Sequence, residues 1–484
     1  MSLPGGYEGV IGLEIHVQLS VRTKMFCGCE LSFGDEPNAH TCPVCLAHPG
    51  SLPVVNEQAI RYALQIALAL ECEVAPRSIF HRKNYFYPDN PKGYQISQYD
   101  IPLARAGRLG DVRIHRVHLE EDAAKMIHVG RSGRIHGSAH SLVDFNRAGT
   151  PLVEIVTEPD LTSPEEAREW AQLLRTTVKQ LGVSDVNMEE GSLRVDANVS
   201  VRRPGAAELG TKTELKNMNS FRFLEHGIAA ELERQAAVIE RGEEVAQETY
   251  HFDPRTGSLT PLRSKEYAHD YRYFPEPDLV PLAPTAEMVA DVRSELPELP
   301  AKRRERYEAE LGLPAATARQ LAFDSELSDY FERALEAADG TEPRTIAVWV
   351  TGELVARLRE AGEGEVDPAG SKVTPQALAA LARMVESREV TTGAAKQVLA
   401  KLVTEGGDPA AIVEREGLVQ ISDSGELEEI VSTAIEAEPA AAERVRAGNA
   451  KAIGPIVGAV MRETKGRADG GEIVRLIKAR LGVD

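Results

Sequence analysis

The sequence predicts an α+β protein: a domain built on a mixed or antiparallel sheet and carrying a zinc knuckle, followed by two all-helical modules. Three observations lead there. Segments of the first 290 residues alternate apolar and polar side chains with the period of a half-buried strand, as in Leu193, Val195, Ala197, Val199 and Val201 against Arg194, Asp196, Asn198, Ser200 and Arg202. Four of the five cysteines crowd into residues 27–45. Beyond about residue 290 the strand patterns stop, and Ala, Leu, Glu and Arg recur at helical spacing after the Pro-rich DLVPLAPT. The expected domains are 1–290, with the knuckle at 27–45, then 291–405 and a small helical tail at 406–484.

A chain of 484 residues is too long for one typical core. Its net charge of −20 excludes a surface coated with phosphate-binding residues, so any nucleic acid must be held by local basic patches. No apolar run reaches the length of a membrane span, and MSLPGGYEGV lacks the basic and apolar regions of a signal peptide. The expectation is a cytoplasmic protein with no membrane partner.

In chain order, VIGLEIHVQLS reads as a strand with Glu14, His16 and Gln18 on one face. A carboxylate and an imidazole side by side can bind a divalent metal or simply hydrogen-bond together. Cys27, Cys29, Cys42 and Cys45 then form C-x-C and C-x-x-C pairs separated by a loop. That is the layout of a closed, structural four-thiolate zinc site, the alternative being reduced, unliganded thiols. Cys72, in the helical run EQAIRYALQIALALECEV, is expected to be a buried core residue. The segment FHRKNYFYPDNPKGYQISQYD interleaves aromatics with Arg82, Lys83 and Lys92, as a pocket lip able to stack a base or grip phosphates would.

RVHLEEDAAK supplies another polar-faced strand, with His118 and Glu120 opposite Leu119 and with Glu121 and Asp122 at its end. The strand at 193–202 sets Arg194, Asp196 and Asn198 in a row, and Lys212, Glu214, Lys216, Asn217 and Asn219 follow. Converging carboxylates cannot all be buried and ionised without a cation among them. Oxygen ligands with one imidazole suggest magnesium or manganese, and nearby Lys and Arg suggest a nucleotide and phosphoryl transfer. The sequence has no P-loop, kinase catalytic loop, G-x-G-x-x-G after a strand or G-x-S-x-G elbow, so an ATP site would be of an unfamiliar kind. The last eighty residues are short, capped helices.

VIGLEIHVQL, HRKNYFYPDNPKGYQISQYD, HLEEDAAK, SLVDFNRAGTPLVEIVTEPD, MEEGSLRVDANVSVRR, GTKTELKNMNSF and HDYRYFPEPDLVPL together resemble the hallmark segments of the B-subunit family of tRNA-dependent amidotransferases, over essentially the whole chain. The resemblance implies a catalytic ATP and Mg2+ domain at 1–290. It implies ATP-dependent activation of the side-chain carboxylate of Glu-tRNA(Gln) or Asp-tRNA(Asn). It further implies ammonia from a partner amidase, the family's A chain, and a small C chain completing a heterotrimer. Glu14, His16, Glu120, Glu121, Asp196 and Glu214 are then implied as catalytic and magnesium-binding. Lys83, Arg147, Arg194, Lys212, Lys216, Lys265 and Arg272 are implied as phosphate and substrate contacts. The helical tail is similar to a family appendage thought to help hold tRNA, and Lys302, Arg303, Arg304 and Arg306 become a candidate tRNA-backbone patch. Two departures, Ala124 where the family usually has Gly and Val348 where Asn is frequent, remove no charge. The residues also admit a zinc-stabilised RNA-binding protein without enzymatic activity, or a metal-dependent phosphohydrolase acting on small substrates.

Overall fold

The computed structural model describes residues 3–129, 138–216, 218–262, 271–361, 368–421 and 424–483. The chain divides into two compact units, Met1–Ala301 and Lys302–Asp484.

In the first unit the strands are β1 (Glu8–Gln18), β2 (Glu73–Val74), β3 (His81–Asn84), β4 (Tyr94–Ser97), β5 (Ala104–Leu109), β6 (Val112–Glu121), β7 (Lys125–Val129), β8 (His140–Asp144), β9 (Pro151–Thr157), β10 (Leu193–Arg202), β11 (Thr213–Lys216), β12 (Thr249–Asp253), β13 (Ser258–Pro261) and β14 (Phe274–Pro275). Nine of them form one sheet in the order β13-β12-β11-β10-β1-β9-β6-β5-β2. Every described pairing in it is antiparallel except β11 with β12, so the sheet is mixed. A smaller sheet, β14-β3-β4, meets the large one where β4 packs on β6.

The described residues of this unit also form helices α1 (Glu57–Ala69), α2 (Pro164–Leu181), α3 (Phe221–Glu240) and α4 (Ala286–Ser294). Each begins at a capping side chain: Asn56, Ser163, Ser220 and Thr285 accept backbone N–H bonds from the first turn. Gly182, at φ 68°, ends α2 in the left-handed conformation that glycine adopts without strain. Strand alternation buries Leu13, Ile15 and Val17 of β1 beside Val153 and Ile155 of β9 and Val195 and Ala197 of β10, while α1 packs on β6 and α3 on β10. The helix predicted through Cys72 stops earlier: Leu70 caps α1, and Glu71 turns at φ 55°. Cys72 is buried beyond the turn.

The described residues of the second unit form helices and their connecting turns, with no strand among them. Helices α5 (Pro300–Ala309), α6 (Ala315–Ala322), α7 (Ser325–Glu336), α8 (Pro343–Val348), α9 (Val355–Ala361), α10 (Pro375–Glu386), α11 (Thr392–Glu405) and α12 (Pro409–Glu416) gather around one apolar cluster running from Tyr307 to Leu418. Helices α13 (Ser424–Ala437), α14 (Pro439–Arg446), α15 (Gly454–Glu463) and α16 (Gly470–Leu481) enclose a second, from Leu427 to Leu481. None of the described helices is long and apolar enough to cross a membrane.

Candidate active site

Because side chains alternate along a strand, register decides which polar groups meet. In the large sheet His118 of β6 stands opposite Glu154 of β9, Glu154 opposite His16 of β1, and His16 opposite Arg194 of β10. Further along the same face Glu14 is opposite Asp196 and Asn198 opposite Glu214. These side chains floor a cavity of about 750 Å³. Lys83, Tyr85, Gln95 and Tyr99 line it from the small sheet and its flanks, together with Tyr271 and Tyr273. Tyr99 and Tyr273 are stacked with centroids 4.4 Å apart.

Three clusters divide the floor. In the first, His16 Nε2 is 3.5 Å from Glu154 Oε2 and 3.7 Å from Glu120 Oε1, and one donor atom from each residue lies within 4.8 Å of the others. His118 Nε2 is 3.3 Å from Glu154, and Lys83 Nζ 3.9 Å from Glu120. Burial works against ionisation of Glu154, but His118 and His16 outweigh it and hold this carboxyl well below the usual carboxylate range. Burial likewise lowers His16 and Lys83, yet Glu154 and Glu120 leave His16 raised and Glu120 leaves Lys83 raised.

In the second cluster Lys216 Nζ lies 2.9 Å from Asp196 Oδ2 and 2.6 Å from Glu214 Oε1, and Asn198 Nδ2 donates to Glu14 Oε1 at 2.9 Å. The third joins Asp122 Oδ2 to Arg194 Nη2 at 3.1 Å and to Gln18 Nε2 at 2.9 Å. Asp122 is lowered despite its burial, because Arg194 and Arg147 face it. Much of the negative charge is thus met by the chain's own cations, a different balance from one in which a metal must offset every carboxylate.

Of the residues singled out from the sequence, Glu14, His16, Glu120, Asp196 and Glu214 share this cavity with Lys83, Arg194, Lys212 and Lys216. Glu121 does not: alternation turns it to the opposite face, where it accepts the Ile96 N–H at 2.9 Å and pairs with Lys92. Arg147 lies behind the lining and donates to the carbonyls of Ala123 and Ala124 at 2.9 and 2.8 Å. Arg272 is exposed, in the left-handed region at φ 44°. Lys265, like Asn217, lies outside the described residues. Sequence reasoning missed Glu154, Arg116, Tyr271 and Tyr273, and noted His118 and Asp122 without assigning them. The available signal for Glu154 was a single carboxylate inside the otherwise apolar PLVEIVT.

The four knuckle cysteines are free and close: their sulfur atoms all lie within 4.8 Å of one another, with Cys42 and Cys45 3.9 Å apart. The hydrogen bond from Cys27 pulls the Cys45 thiol down, with help from the Cys42 backbone and from Lys24. The basic patch changes character. Arg303 is 7% exposed and pairs with Asp329 at 3.2 Å, Arg306 pairs with Glu332 at 2.5 Å, and Lys302 and Arg304 pair within their own helix.

The fold and cleft define an α+β protein that gathers paired carboxylates and cations on one polar sheet face beneath an aromatic lip. The family profile described as "GatB/GatE catalytic domain" matches residues 9–290, and one described as "GatB domain" matches 329–481. The B subunit of the aspartyl/glutamyl-tRNA(Asn/Gln) amidotransferase of Geotalea daltonii is 49% identical over 98% of this chain and 99% of its own length. That of Frankia casuarinae is 50% identical over 99% and 96%. That of Persephonella marina is 47% identical over 96% and 97%. The chain belongs to the GatB family, the B subunits of tRNA-dependent amidotransferases.

Proposed function

We propose that this chain uses ATP and Mg2+ to activate the side-chain carboxylate of Glu-tRNA(Gln) or Asp-tRNA(Asn) for amidation, with ammonia supplied by a partner amidase and a small third chain completing the complex. The observation that carries this reading is the meeting of His16, Glu120 and Glu154 beside Lys83 and Arg194 in one cleft. Two carboxylate oxygens and one imidazole suit a magnesium-type ion, which would supply charge neutralisation at the phosphates. Glu154 and Glu120 would hold it with His16. Lys83, kept protonated beside Glu120, is suited to the transferring phosphoryl group, and Arg194, Lys212 and Lys216 to the remaining phosphate oxygens.

Glu14, Asp196 and Glu214 would fix Lys216 and close the opposite side of the pocket. Arg147 would act by bracing the loop after Asp122. Arg272, next to Tyr271 and Tyr273, and Lys265 are assigned to the tRNA-borne substrate on family resemblance. In the first step a carboxylate oxygen of the substrate bonds to the γ-phosphorus, and the bond to ADP breaks. In the second, ammonia attacks the acyl carbon of the acyl phosphate and inorganic phosphate leaves.

The four thiolates suit a structural zinc ion. A tetrahedron with Zn–S bonds of about 2.3 Å has edges of about 3.8 Å, close to the 3.9 Å between Cys42 and Cys45. We also propose that 1–290 performs the chemistry, and that the modules at 291–405 and 406–484 engage tRNA.

The test is ATP hydrolysis by the chain assembled with its amidase partner, with and without misacylated tRNA. Turnover that requires misacylated tRNA and yields Gln-tRNA(Gln) or Asn-tRNA(Asn) supports the proposal. Turnover independent of tRNA favours a phosphohydrolase, and tRNA binding without turnover favours an RNA-binding protein.

A further inference from the structure

The knuckle is tied to one particular segment of the sheet domain, residues 143–149. Asn38, in the loop between the two cysteine pairs, donates to the Val143 carbonyl at 3.2 Å and accepts the Phe145 N–H at 2.7 Å, while its own N–H meets Asp144 at 3.0 Å. The N–H of His40 donates to Asn146 Oδ1 at 2.9 Å. Lys24 is fully buried; its ammonium donates to the Phe145 carbonyl at 3.0 Å and lies 3.7 Å from Cys45 Sγ. A buried ammonium needs such partners, so it links a knuckle sulfur to this segment directly.

From there the connection runs to the cleft. Gly149, at φ 87°, packs against the Lys24 side chain; its carbonyl accepts the Met25 N–H at 2.7 Å, and its N–H donates to the Asp122 carbonyl at 2.9 Å. The N–H of Asp122 returns to the Thr150 carbonyl at 2.8 Å, and Arg147 holds Ala123 and Ala124. Asp122 is the carboxylate that fixes Arg194 at the cleft wall.

We propose that Lys24 and Asn38 are positioning residues through which the gathered knuckle sets segment 143–149, and with it the Asp122–Arg194 pair of the cleft. A knuckle that only stabilised its own loop would leave that pair indifferent to it. The inference rests on the proposed readings of a zinc knuckle and a nucleotide cleft.

Hydrogen–deuterium exchange on the full chain tests it, comparing zinc-loaded protein, chelator-treated protein, Lys24→Met and Asn38→Gly. Glycine at 38 keeps the left-handed φ of 63° and removes only the side-chain bonds. Exchange at the amides of Gly149 and Asp122, which make no bond to Asn38, is expected to rise about tenfold or more in Asn38→Gly and on zinc removal, with zinc content unchanged in Asn38→Gly. In the assembled enzyme KM for ATP should rise more than kcat falls. Increased exchange confined to residues 27–48 and to Phe145, whose acceptor Asn38→Gly itself removes, with KM for ATP unchanged, would overturn the coupling. Metal analysis separates the readings: purified protein without zinc removes the zinc assignment, whereas Asn38→Gly reads the coupling with no metal involved. Amide exchange reads it even if the cleft binds no nucleotide, and if Lys24→Met does not fold, Asn38→Gly decides alone.

Discussion

His16 and Glu154 face each other across the β1–β9 ladder at the same register position, with Nε2 and Oε2 3.5 Å apart. Glu154 also serves His118 at 3.3 Å and Arg116 at 3.5 Å, so one buried carboxylate organises the cationic side of the cleft. Glu154→Gln keeps the volume and removes the charge. Mg2+-dependent, tRNA-dependent ATP hydrolysis is expected to fall on the order of 100-fold or more. A magnesium titration of the assembled enzyme reads it, and near-normal activity at ordinary Mg2+ would remove Glu154 from the metal group.

Lys216 sits between Asp196 and Glu214, and replacing it by Met removes the ammonium that both half-buried carboxylates face. A loss of about 1–3 kcal/mol is expected after allowance for solvent screening. Asp196→Asn and Glu214→Gln should cost less stability while strongly reducing phosphoryl transfer. Denaturant unfolding alongside turnover separates these effects; equal destabilisation by all three variants would contradict the central role of Lys216.

Asp122 gives the pH dependence a sign. Its folded pKa is below the ordinary 3.8, so its ionised form favours the folded state. That contribution is fully present above the ordinary value and is lost as pH falls through the lowered one. Thermal melts of the wild type should therefore lose stability more steeply below about pH 4 than those of Asp122→Asn. Parallel acid profiles would show that another carboxylate dominates.

For the knuckle, Cys42→Ser should lower stability and release about one zinc per chain. Mass-spectrometric metal analysis of protein purified under reducing conditions reads this, and a zinc-free wild type would refute the site.

Arg303 lies in the sequence-nominated tRNA patch, yet it is buried against Asp329. Arg303→Gln is expected to destabilise the helical unit by about 1–3 kcal/mol and to leave the salt slope of tRNA binding nearly unchanged. A flattened slope in a fully folded variant would restore Arg303 as a phosphate contact.

The alternation of VIGLEIHVQL and LRVDANVSVR determined by itself which side chains share a face, because a strand's period depends only on backbone geometry. Cysteine spacing likewise foretold a four-sulfur cluster, since short loops bring such pairs together. Tertiary structure alone decided who meets whom. Glu154 reaches His16 only because β9 lies beside β1, and Glu121 leaves the cleft because it is one residue out of phase with Glu120. Arg303 is buried because α7 brings Asp329 and Glu332 to it. Periodicity within a segment is local and written in the order of residues. Register between strands and the pairing of charges belong to contacts far apart in the chain, which the energy of the whole packed domain selects.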